Sequence, residues 1–490
     1  MPSRRAHLTR RTEQNGLAAA LSELRTESGV PVGFPAEVLA EAEAAHGGPL
    51  PDLDLRGIAF VTLDPEGSQD LDQAFCIEPA PAGDAAGGYV LRYAIADVPS
   101  FVRPGGAIDL EARRRGQTLY LPDGLVPLHP PILSEDRVSL HPTGDRTAYV
   151  WTIPVDASGA AEFEGGAAAP ARVERALVRS RARLDYAAAQ REIDAESARE
   201  QVRLLREFGL LRIAQEHRRG GASLSMPDEE IVCDDSGYRI ERRSPLPVEE
   251  WNAQLSLLTG MAAARIMLDG GIGILRTMPA PEAETLAEFK VRVRALGLPW
   301  PERTAYGDYL RDVPRDTAQG LAVLHAAASL FRGAGYTVFD AGGTVSAEDA
   351  VQSAIAAPYA HVTAPLRRLV DRWGLVICEA LCSGSPVPEW ARASLGDLPA
   401  LMRASSSLAG RIGGEALDRV EAALLHDRIG DVVAATVLEV RGSRARLQIA
   451  DPPITASAEP VPERLAPGTE VSARVVSADV PSGRLALALA

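Results

Sequence analysis

Three aspartates and a glutamate crowd into the segment TLDPEGSQDLDQA, residues 62–74. The preceding residues GIAFVTL predict a strand that ends near Asp64, and a Pro-Glu-Gly-Ser turn follows. Asp70 and Asp72 are two residues apart, so in an extended segment their side chains point to one side. A loop that returns them towards Asp64 would gather three carboxylates, and close like charges destabilise one another. A divalent cation removes that conflict: Mg²⁺ prefers such oxygen ligands, and paired metal ions suit in-line displacement at a phosphodiester.

The same acidic segment has two simpler interpretations. The first is a solvated acidic turn that binds no ion. The second is a calcium-binding loop, but the spacing departs from the D-x-[DN]-x-[DN]-G pattern, because Glu66, Ser68 and Gln69 occupy its third, fifth and sixth positions. On this segment alone, a catalytic metal site and a solvated turn are equally supported.

A second segment, PYAHVTAPLRRLVDRW at residues 358–373, favours the metal site. Its pattern predicts a helix start with Arg367 and Arg368 in the first turn, where positive side chains oppose the helix dipole. They are explained if an anion binds there to free backbone N–H groups and guanidinium groups together. An ion pair between Arg367 and Asp371, four residues apart, is the alternative, but it leaves Arg368 and Arg372 without visible partners. The pattern therefore indicates phosphate binding.

The composition limits the remaining classes of protein. The chain has 490 residues, enough for two to four domains, and its formal net charge of −15 argues against a protein that coats nucleic acid with its whole surface. No apolar run approaches the ~18 residues of a membrane helix, and no apolar segment follows the basic N-terminus. The four cysteines are too few and too scattered for a disulfide framework or a zinc site. We therefore expect a cytoplasmic protein without a membrane segment, and a monomer by default.

The pattern of the chain changes twice along its length. Residues 1–50 predict a small helical or winged-helix module, and residues 51–427 predict a catalytic domain that begins with strands and becomes helical. Residues 428–490 contain five short alternating stretches separated by Gly and Pro, which is typical of a closed β-barrel of the OB-fold type. The predicted elements are helices at 16–24, 35–46 and 198–218, strands at 58–62, 75–78 and 89–96, and barrel strands at 432–440, 445–450, 454–459, 470–479 and 484–490.

These segments, in this order, resemble the RNB exoribonucleases, the ribonuclease II and ribonuclease R family. The resemblance spans residues 56–373 and rests on TLDPEGSQDLDQA, on YVLRYAIADVPSFVRPGGAIDLEARRRGQTLYLPDGLVPLHPPILSEDRVSL, and on YAHVTAPLRRLVDRW. The helical pattern EEWNAQLSLLTGMAAARIM, residues 249–267, is similar to the family's central helix. The resemblance implies an α+β fold: a mixed sheet with helices around an RNA channel, followed by an OB-type barrel.

The resemblance also implies an activity, the processive hydrolysis of single-stranded RNA from its 3′ end with release of nucleoside 5′-monophosphates. Asp64, Asp70 and Asp72 fall on the acidic positions that hold Mg²⁺ and position the attacking water. Arg367 falls on the arginine that contacts the scissile phosphate and stabilises the developing negative charge. We expect Arg368, beside it, to contact RNA as well.

Two further RNA contacts are implied by the resemblance. Tyr120, in TLYLP, falls on the aromatic residue that stacks against the 3′-terminal base. Glu249 or Glu250 falls near the acidic residue at the terminal nucleotide, where a contact to the 2′-hydroxyl would distinguish RNA from DNA.

The chain departs from the family pattern at Gln73. The family's acidic motif ends Asp-x-Asp-Asp, whereas this chain has DLDQ. An amide oxygen can ligate a cation, so Gln73 counts among the predicted metal ligands, but it is neutral and holds Mg²⁺ less strongly. One metal ion would then bind weakly, depend on Mn²⁺, or use Glu66 or Asp97.

Other departures concern the capture of RNA. The second aromatic residue of the family's base clamp is expected near residues 223–226, where the sequence is SLSM. The stretch 429–490 contains no Phe, Tyr or Trp, so the barrel has no stacking platform for bases. Residues 1–50 stand in place of the family's cold-shock barrels. Together with Gln73, these departures support a second hypothesis, a catalytically weak or inactive RNA-binding protein on the same fold.

Overall fold

The computed structural model describes residues 16–490, except residues 32, 81–86, 223–227, 235–236, 302–303, 316, 341–342, 344, 450–453 and 463. For residues 228–234, 237–242 and 318 it describes the main chain alone. The predicted position of the second clamp residue, 223–226, lies outside the described residues.

The helices and strands of the described chain follow in sequence order. Up to residue 270 they are α1 (Leu17–Glu27), α2 (Ala36–Ala44), β1 (Leu53–Asp54), β2 (Phe60–Asp64), β3 (Gln73–Pro79), β4 (Tyr89–Ala96), α3 (Val98–Phe101), α4 (Ala107–Arg115), β5 (Leu119–Leu121), β6 (Gly124–Val126), β7 (Arg146–Val155), β8 (Arg172–Val178), β9 (Ser180–Asp185), α5 (Tyr186–Asp194), α6 (Glu200–Arg219), β10 (Asp228–Asp234), β11 (Gly237–Arg243) and α7 (Pro247–Gly270). Beyond it they are β12 (Gly273–Thr277), α8 (Ala283–Ala295), α9 (Tyr306–Asp312), α10 (Ala318–Ala327), β13 (Gly335–Phe339), β14 (Val351–Gln352), β15 (Ala357–Pro358), α11 (Asp371–Ser383), α12 (Glu389–Ser394), α13 (Leu398–His426), β16 (Val432–Arg441), β17 (Arg444–Ile449), β18 (Thr455–Ala458), β19 (Glu470–Asp479) and β20 (Arg484–Leu489). Short helical turns lie at Ile132–Arg137, Glu162–Glu164, Ala328–Leu330 and Leu395–Asp397.

A seven-stranded mixed sheet carries the acidic segment. Its strands lie in the order β1-β8-β7-β4-β3-β2-β9, with β1–β8 and β2–β9 parallel and the other neighbours antiparallel. Because side chains alternate across a strand, Phe75, Tyr93 and Trp151 share one hydrophobic cluster with α6 and α7. Ala94 and Val150 belong to the cluster on the other face, with α2 and α4. The sheet is therefore buried on both faces, which explains near-continuous apolar strands such as YVLRYAIA.

The last five strands form a closed barrel in the order β16-β17-β18-β20-β19. Inward residues such as Val437, Leu447 and Val475 are buried and alternate with exposed ones. Helix α13 packs its apolar face on this barrel, and α1 joins the same cluster, whereas α2 packs on the sheet. The predicted fold class, α+β with a C-terminal barrel of OB type, is confirmed. The limits of the three predicted regions stay a prediction.

The structure corrects two of the predicted elements. Strand β2 spans Phe60–Asp64 rather than 58–62, so Asp64 is the last residue of the strand. Helix α11 begins at Asp371, so Arg367 and Arg368 precede the helix instead of lying in its first turn. Arg368 instead forms an isolated β-bridge with Gln117, which helical residues do not do. The argument from the helix dipole therefore does not apply to the two arginines.

Across the described parts of the chain, none of the helices has the length and apolarity that crossing a membrane requires.

Candidate active site

Asp64 lies at the carboxyl end of β2, where the strand pairs in parallel with β9 and Asp64 faces Asp185 in the register. Its Oδ2 is buried and has no hydrogen-bond partner among the described residues. Burial raises the pKa of Asp64 to about 7, and the charge of Asp70 adds to the rise. Arg367 and Arg183 oppose it. A buried carboxylate oxygen without a donor is an atom to which a cation would bind.

Asp72 precedes β3 and is 4% exposed. Its main chain is fixed because the Ala96 N–H donates to the Asp72 carbonyl at 2.9 Å. Its Oδ1 accepts from the Leu366 N–H at 2.8 Å, and its Oδ2 lies 3.6 Å from Arg367 Nε. Burial raises the pKa of Asp72 well above the usual range, and Arg367 opposes that rise. Asp72 thus joins the acidic segment to the segment that carries Arg367.

Asp70 completes the predicted acidic group from the loop between β2 and β3. It is partly buried, and its charge raises the pKa of both Asp64 and Asp72. As the side chains stand, no three His, Cys, Asp or Glu residues of the described chain converge closely enough to enclose a metal ion. The donor set nevertheless fits a hard divalent cation, because the unpaired Oδ2 of Asp64 and the charges of Asp70 and Asp72 lie within electrostatic reach of one another.

The surroundings of Gln73 count against its predicted role as a metal ligand. Its Nε2 donates to the Thr363 carbonyl at 2.7 Å. Its Oε1 accepts from the Tyr93 hydroxyl and, at 3.4 Å, from the Ser256 hydroxyl. Both ends of the amide are therefore hydrogen-bonded inside the protein. Ligation by Gln73 stays a prediction, one that requires these bonds to break.

Arg367 is the predicted phosphate-binding residue whose guanidinium stays available. Its side chain is 34% exposed, and the nearest carboxylate oxygen is Asp72 Oδ2 at 3.6 Å. Within the described chain, its guanidinium donates no hydrogen bond at normal distance. Arg367 therefore presents a charged group beside the acids that an incoming anion can reach.

The neighbouring arginines have partners that the spacing did not indicate. Arg368 Nε and Nη2 donate to the two oxygens of Asp371, at 2.9 and 2.8 Å. Arg372 Nη1 donates to Asp109 Oδ1 at 2.5 Å. The side chains of Arg372 and Asp109 are each 2% exposed. The expectation that Arg368 and Arg372 lack protein partners is wrong. Asp371 pairs with Arg368 rather than with Arg367, and this pairing leaves Arg367 free to meet a ligand.

Tyr120 lies on β5, a strand joined directly to the segment that carries Arg367. The Thr118 N–H donates to the Arg367 carbonyl at 3.0 Å, and the Leu369 N–H donates to the Gly116 carbonyl at 3.0 Å. Tyr120 is partly buried. The structure thus places the stretch just before β5, and with it the predicted stacking residue, beside the turn that carries the predicted phosphate-binding residue.

The two candidate glutamates differ in their environments. Glu249 Oε1 accepts from the Leu246 N–H at 3.1 Å and from Arg243 Nη1 at 2.5 Å, so its carboxylate caps α7 and forms an ion pair. Glu250 is exposed, although partial burial raises the pKa of its carboxyl group. Of the two glutamates, only Glu249 caps the helix, so Glu250 is the better candidate for a contact with RNA.

Asp97 and Glu66 were the alternative metal ligands. Asp97 is fully buried and caps α3 by accepting from the Ser100 N–H at 3.3 Å. It also accepts from the Ser100 hydroxyl at 2.6 Å and pairs with Arg175 at 2.8 Å. Its carboxylate therefore has a structural role. Glu66 is exposed in the loop after β2.

Sequence reasoning missed the polar side chains beneath the acids. Asn252 Nδ2 donates to the Leu63 carbonyl at 3.4 Å and to the Tyr186 hydroxyl at 3.1 Å. The charge of Asp64 contributes to the raised pKa of Tyr186, after burial. Asn252 and Ser256 lie one turn apart on the mostly apolar helix α7, and this spacing of polar residues is the signal that could have found them.

Comparisons with known proteins match two parts of this chain. The RNB domain family matches residues 53–378, which contain the acids, Tyr120 and Arg367. The RNase II-type exonuclease C-terminal S1 domain matches residues 431–490, which form the barrel.

The individual matches cover much of this chain but only part of the longer relatives. Ribonuclease R of Escherichia coli (strain K12) is 29% identical over 356 residues, which are 69% of this chain and 40% of the relative. Mycoplasma genitalium RNase R, in complex with ribose-methylated single-stranded RNA, superimposes with a TM-score of 0.85 at 19% identity, covering 97% of this chain and 78% of that one. Yeast Ssd1, described as a pseudonuclease, gives a TM-score of 0.70 at 16% identity over 94% of this chain and 58% of that one. The fold is thus found in proteins described as nucleases and in one described as a pseudonuclease.

Proposed function

Because this chain belongs to the RNB family, we propose that it is an exoribonuclease that degrades single-stranded RNA processively from the 3′ end and releases nucleoside 5′-monophosphates. The observation that carries the proposal is the arrangement around Asp64: an unpaired buried carboxylate oxygen, two further aspartates, and the available guanidinium of Arg367. Burial, together with the charge of Asp70, raises the pKa of Asp64 and of Asp72, which costs folding free energy. This cost, beside an arginine that makes only a 3.6 Å ion pair, supports catalysis rather than packing.

Asp64, Asp70 and Asp72 would hold Mg²⁺, or Mn²⁺ in its place. When bound, such a cation neutralises charge on the phosphate and lowers the pKa of the attacking water. The main-chain bond from Leu366 to Asp72 Oδ1 orients this carboxylate, so that Oδ2 faces Arg367 and the ligand side. Gln73 is left out of this set because its amide oxygen already accepts hydrogen bonds.

Arg367 would bind the scissile phosphate. Its planar group offers several N–H donors, and two of them can meet two phosphate oxygens together. Charge that develops on those oxygens in the transition state is stabilised in place, without reorganisation of solvent. Thr118, bonded to the Arg367 carbonyl, holds this segment at a fixed position relative to β5.

Tyr120 would stack against the 3′-terminal base, and Glu250 would accept a hydrogen bond from the ribose 2′-hydroxyl. Stacking tolerates any base, which suits an enzyme that removes successive nucleotides. A 2′-hydroxyl contact would make the enzyme prefer RNA to DNA. Arg368 would act only indirectly, by holding Asp371 at the start of α11.

A second candidate function is RNA binding without hydrolysis. It is favoured by Gln73, which is neutral and internally bonded at a position where the family pattern has a carboxylate. The three aspartates and Arg367 weigh against it, since binding alone does not need them.

The test is a time course on a 5′-labelled single-stranded RNA with Mg²⁺ or with EDTA, beside the same sequence as DNA. Metal-dependent shortening from the 3′ end, on RNA only, would support the exoribonuclease. RNA that stays bound and intact at every Mg²⁺ and Mn²⁺ concentration would support the second candidate. Sedimentation of the same preparation would test the expected monomer, and fractionation of cells would test the cytoplasmic location that the scattered cysteines suggest.

A further inference from the structure

We infer that Gln73 is a positioning residue, whose amide holds the turn that carries Arg367 against the acidic segment, and that it is not a metal ligand. The inference rests on the proposed function, because Arg367 is given the task of binding the scissile phosphate. The inference gives a role to the amide of Gln73, which stands where the family pattern has an aspartate.

The amide of Gln73 bridges three elements that are distant in sequence. Its Nε2 donates to Thr363, just before the turn; its Oε1 accepts from Tyr93 on β4 and from Ser256 on α7. The hydroxyls of Tyr93 and Ser256 also lie 3.0 Å apart, so the three side chains form one small network. Tyr93 is fully buried and Thr363 is 3% exposed, so water does not readily replace these bonds.

The bond to Thr363 controls where Arg367 stands. After Thr363, the N–H groups of Arg367 and Arg368 both donate to the Ala364 carbonyl, at 3.2 and 2.9 Å, which closes the turn. The Leu366 N–H donates to Asp72 Oδ1. Two consecutive residues, Asp72 and Gln73, are therefore hydrogen-bonded to the turn at two points. These two bonds set the distance between the Asp72 carboxylate and the Arg367 guanidinium.

The chemistry of the network suits an amide. The Thr363 carbonyl needs a donor and the Tyr93 hydroxyl needs an acceptor, and the neutral amide of Gln73 supplies both, which an ionised carboxylate cannot do. A carboxylate of the same length would face the Thr363 carbonyl with a second acceptor. Because Oε1 already accepts the hydrogen bond from the Tyr93 hydroxyl, a cation at Oε1 would have to compete with that bond.

The experiment compares Gln73→Met with Gln69→Met in the full-length protein. Methionine keeps the length and the neutral charge but removes the donor and the acceptor. Gln69 is exposed in the same loop, and its side chain donates only to the Gly67 carbonyl at 3.2 Å. Three quantities are measured: kcat and KM for labelled RNA at saturating Mg²⁺, Mn²⁺ affinity by electron paramagnetic resonance, and hydrogen exchange of the peptide that contains residues 363–368.

We expect Gln73→Met to lower kcat about 100-fold, since a displaced catalytic group costs this much. KM and Mn²⁺ affinity should stay within about threefold of the wild type, and exchange at 363–368 should accelerate. Gln69→Met should match the wild type in all three measurements. A tenfold or larger loss of Mn²⁺ affinity in Gln73→Met would make Gln73 a ligand and overturn the inference, as would an unchanged kcat.

A milder pair of variants covers the case in which Gln73→Met does not fold. Tyr93→Phe removes one hydroxyl from the network, and Tyr89→Phe removes the hydroxyl that donates to Glu207 at 2.9 Å from the same strand. Tyr93→Phe should lower kcat about 2- to 10-fold, the worth of one hydrogen bond, while Tyr89→Phe should not. Equal kcat in the two variants would overturn the inference. If the wild type degrades no RNA, the proposed function fails, and Mn²⁺ affinity with hydrogen exchange still decides the role of Gln73.

Discussion

Replacing Arg367 by alanine should lower kcat for RNA hydrolysis by about 10³-fold. The guanidinium lies beside Asp72 at 3.6 Å, is about one-third exposed, and makes no hydrogen bond within the described chain. Its donors are therefore available to a phosphate. Two charge-assisted hydrogen bonds of about 2 kcal/mol each make about 4 kcal/mol, and each 1.36 kcal/mol is a factor of ten in rate.

The assay is single-turnover decay of a 5′-labelled RNA at saturating protein and Mg²⁺, with the RNA dissociation constant measured separately in EDTA. Arg367→Lys keeps the charge but loses the planar pair of donors, so its rate should fall between those of the wild type and Arg367→Ala. Arg103→Ala is the matched control, because Arg103 is 79% exposed and pairs at 3.9 Å with Glu41 on α2.

The binding measurement separates the two ways in which Arg367 could act. If the arginine stabilises charge in the transition state, RNA affinity should change far less than kcat. A kcat for Arg367→Ala within about threefold of the wild type would remove Arg367 from the reaction. A loss confined to RNA affinity would make it a binding residue alone.

Three further predictions concern the base contact and the stability of the site. Tyr120→Ala should lengthen the final undegraded fragment, because the 3′-terminal base loses its stacking partner; an unchanged product ladder on a sequencing gel would contradict this. Burial lowers the pKa of His129 from its usual 6.5 to about 3. Between those two values only the unfolded chain protonates the imidazole, so the free energy of unfolding decreases as the pH is lowered below 6.5. His129→Gln should therefore reduce the loss of unfolding free energy between pH 7 and pH 5.5 by about 1 kcal/mol, measured by urea titration, and equal losses in the two proteins would refute the assignment. Asp109→Asn should lower the free energy of unfolding by about 3–5 kcal/mol, because Arg372 keeps a buried charge without its partner; a loss below about 1 kcal/mol in urea would contradict it.

The acidic segment could be predicted because its information is local. A strand followed by a Pro-Glu-Gly-Ser turn and two aspartates two residues apart places Asp64, Asp70 and Asp72 in one region without knowledge of the rest of the chain. The barrel was predictable for the same reason, since alternation and Gly or Pro punctuation mark each strand. Both features need only the nearest neighbours in sequence.

The roles of the other polar residues could not be predicted in this way. Gln73 is a predicted metal ligand because it stands where the family pattern has an aspartate, and the sequence does not show that its partners Tyr93, Ser256 and Thr363 come from distant parts of the chain. The prediction that Arg368 contacts RNA depends in part on a helix start at this segment, whereas α11 begins at Asp371. The turn before α11 instead lets Arg368 reach Asp371, a pairing that depends on tertiary packing.

The most direct test of the central claim is to measure RNA binding and RNA hydrolysis side by side in Asp72→Asn. Asparagine keeps Oδ1, so the hydrogen bond from Leu366 can persist, while a neutral NH₂ group replaces the charged Oδ2 beside Arg367. If Asp72 helps to hold the catalytic metal, hydrolysis should be abolished at every Mg²⁺ concentration while the affinity for single-stranded RNA stays near that of the wild type. Hydrolysis at a normal rate, with or without a loss of binding, would contradict the account.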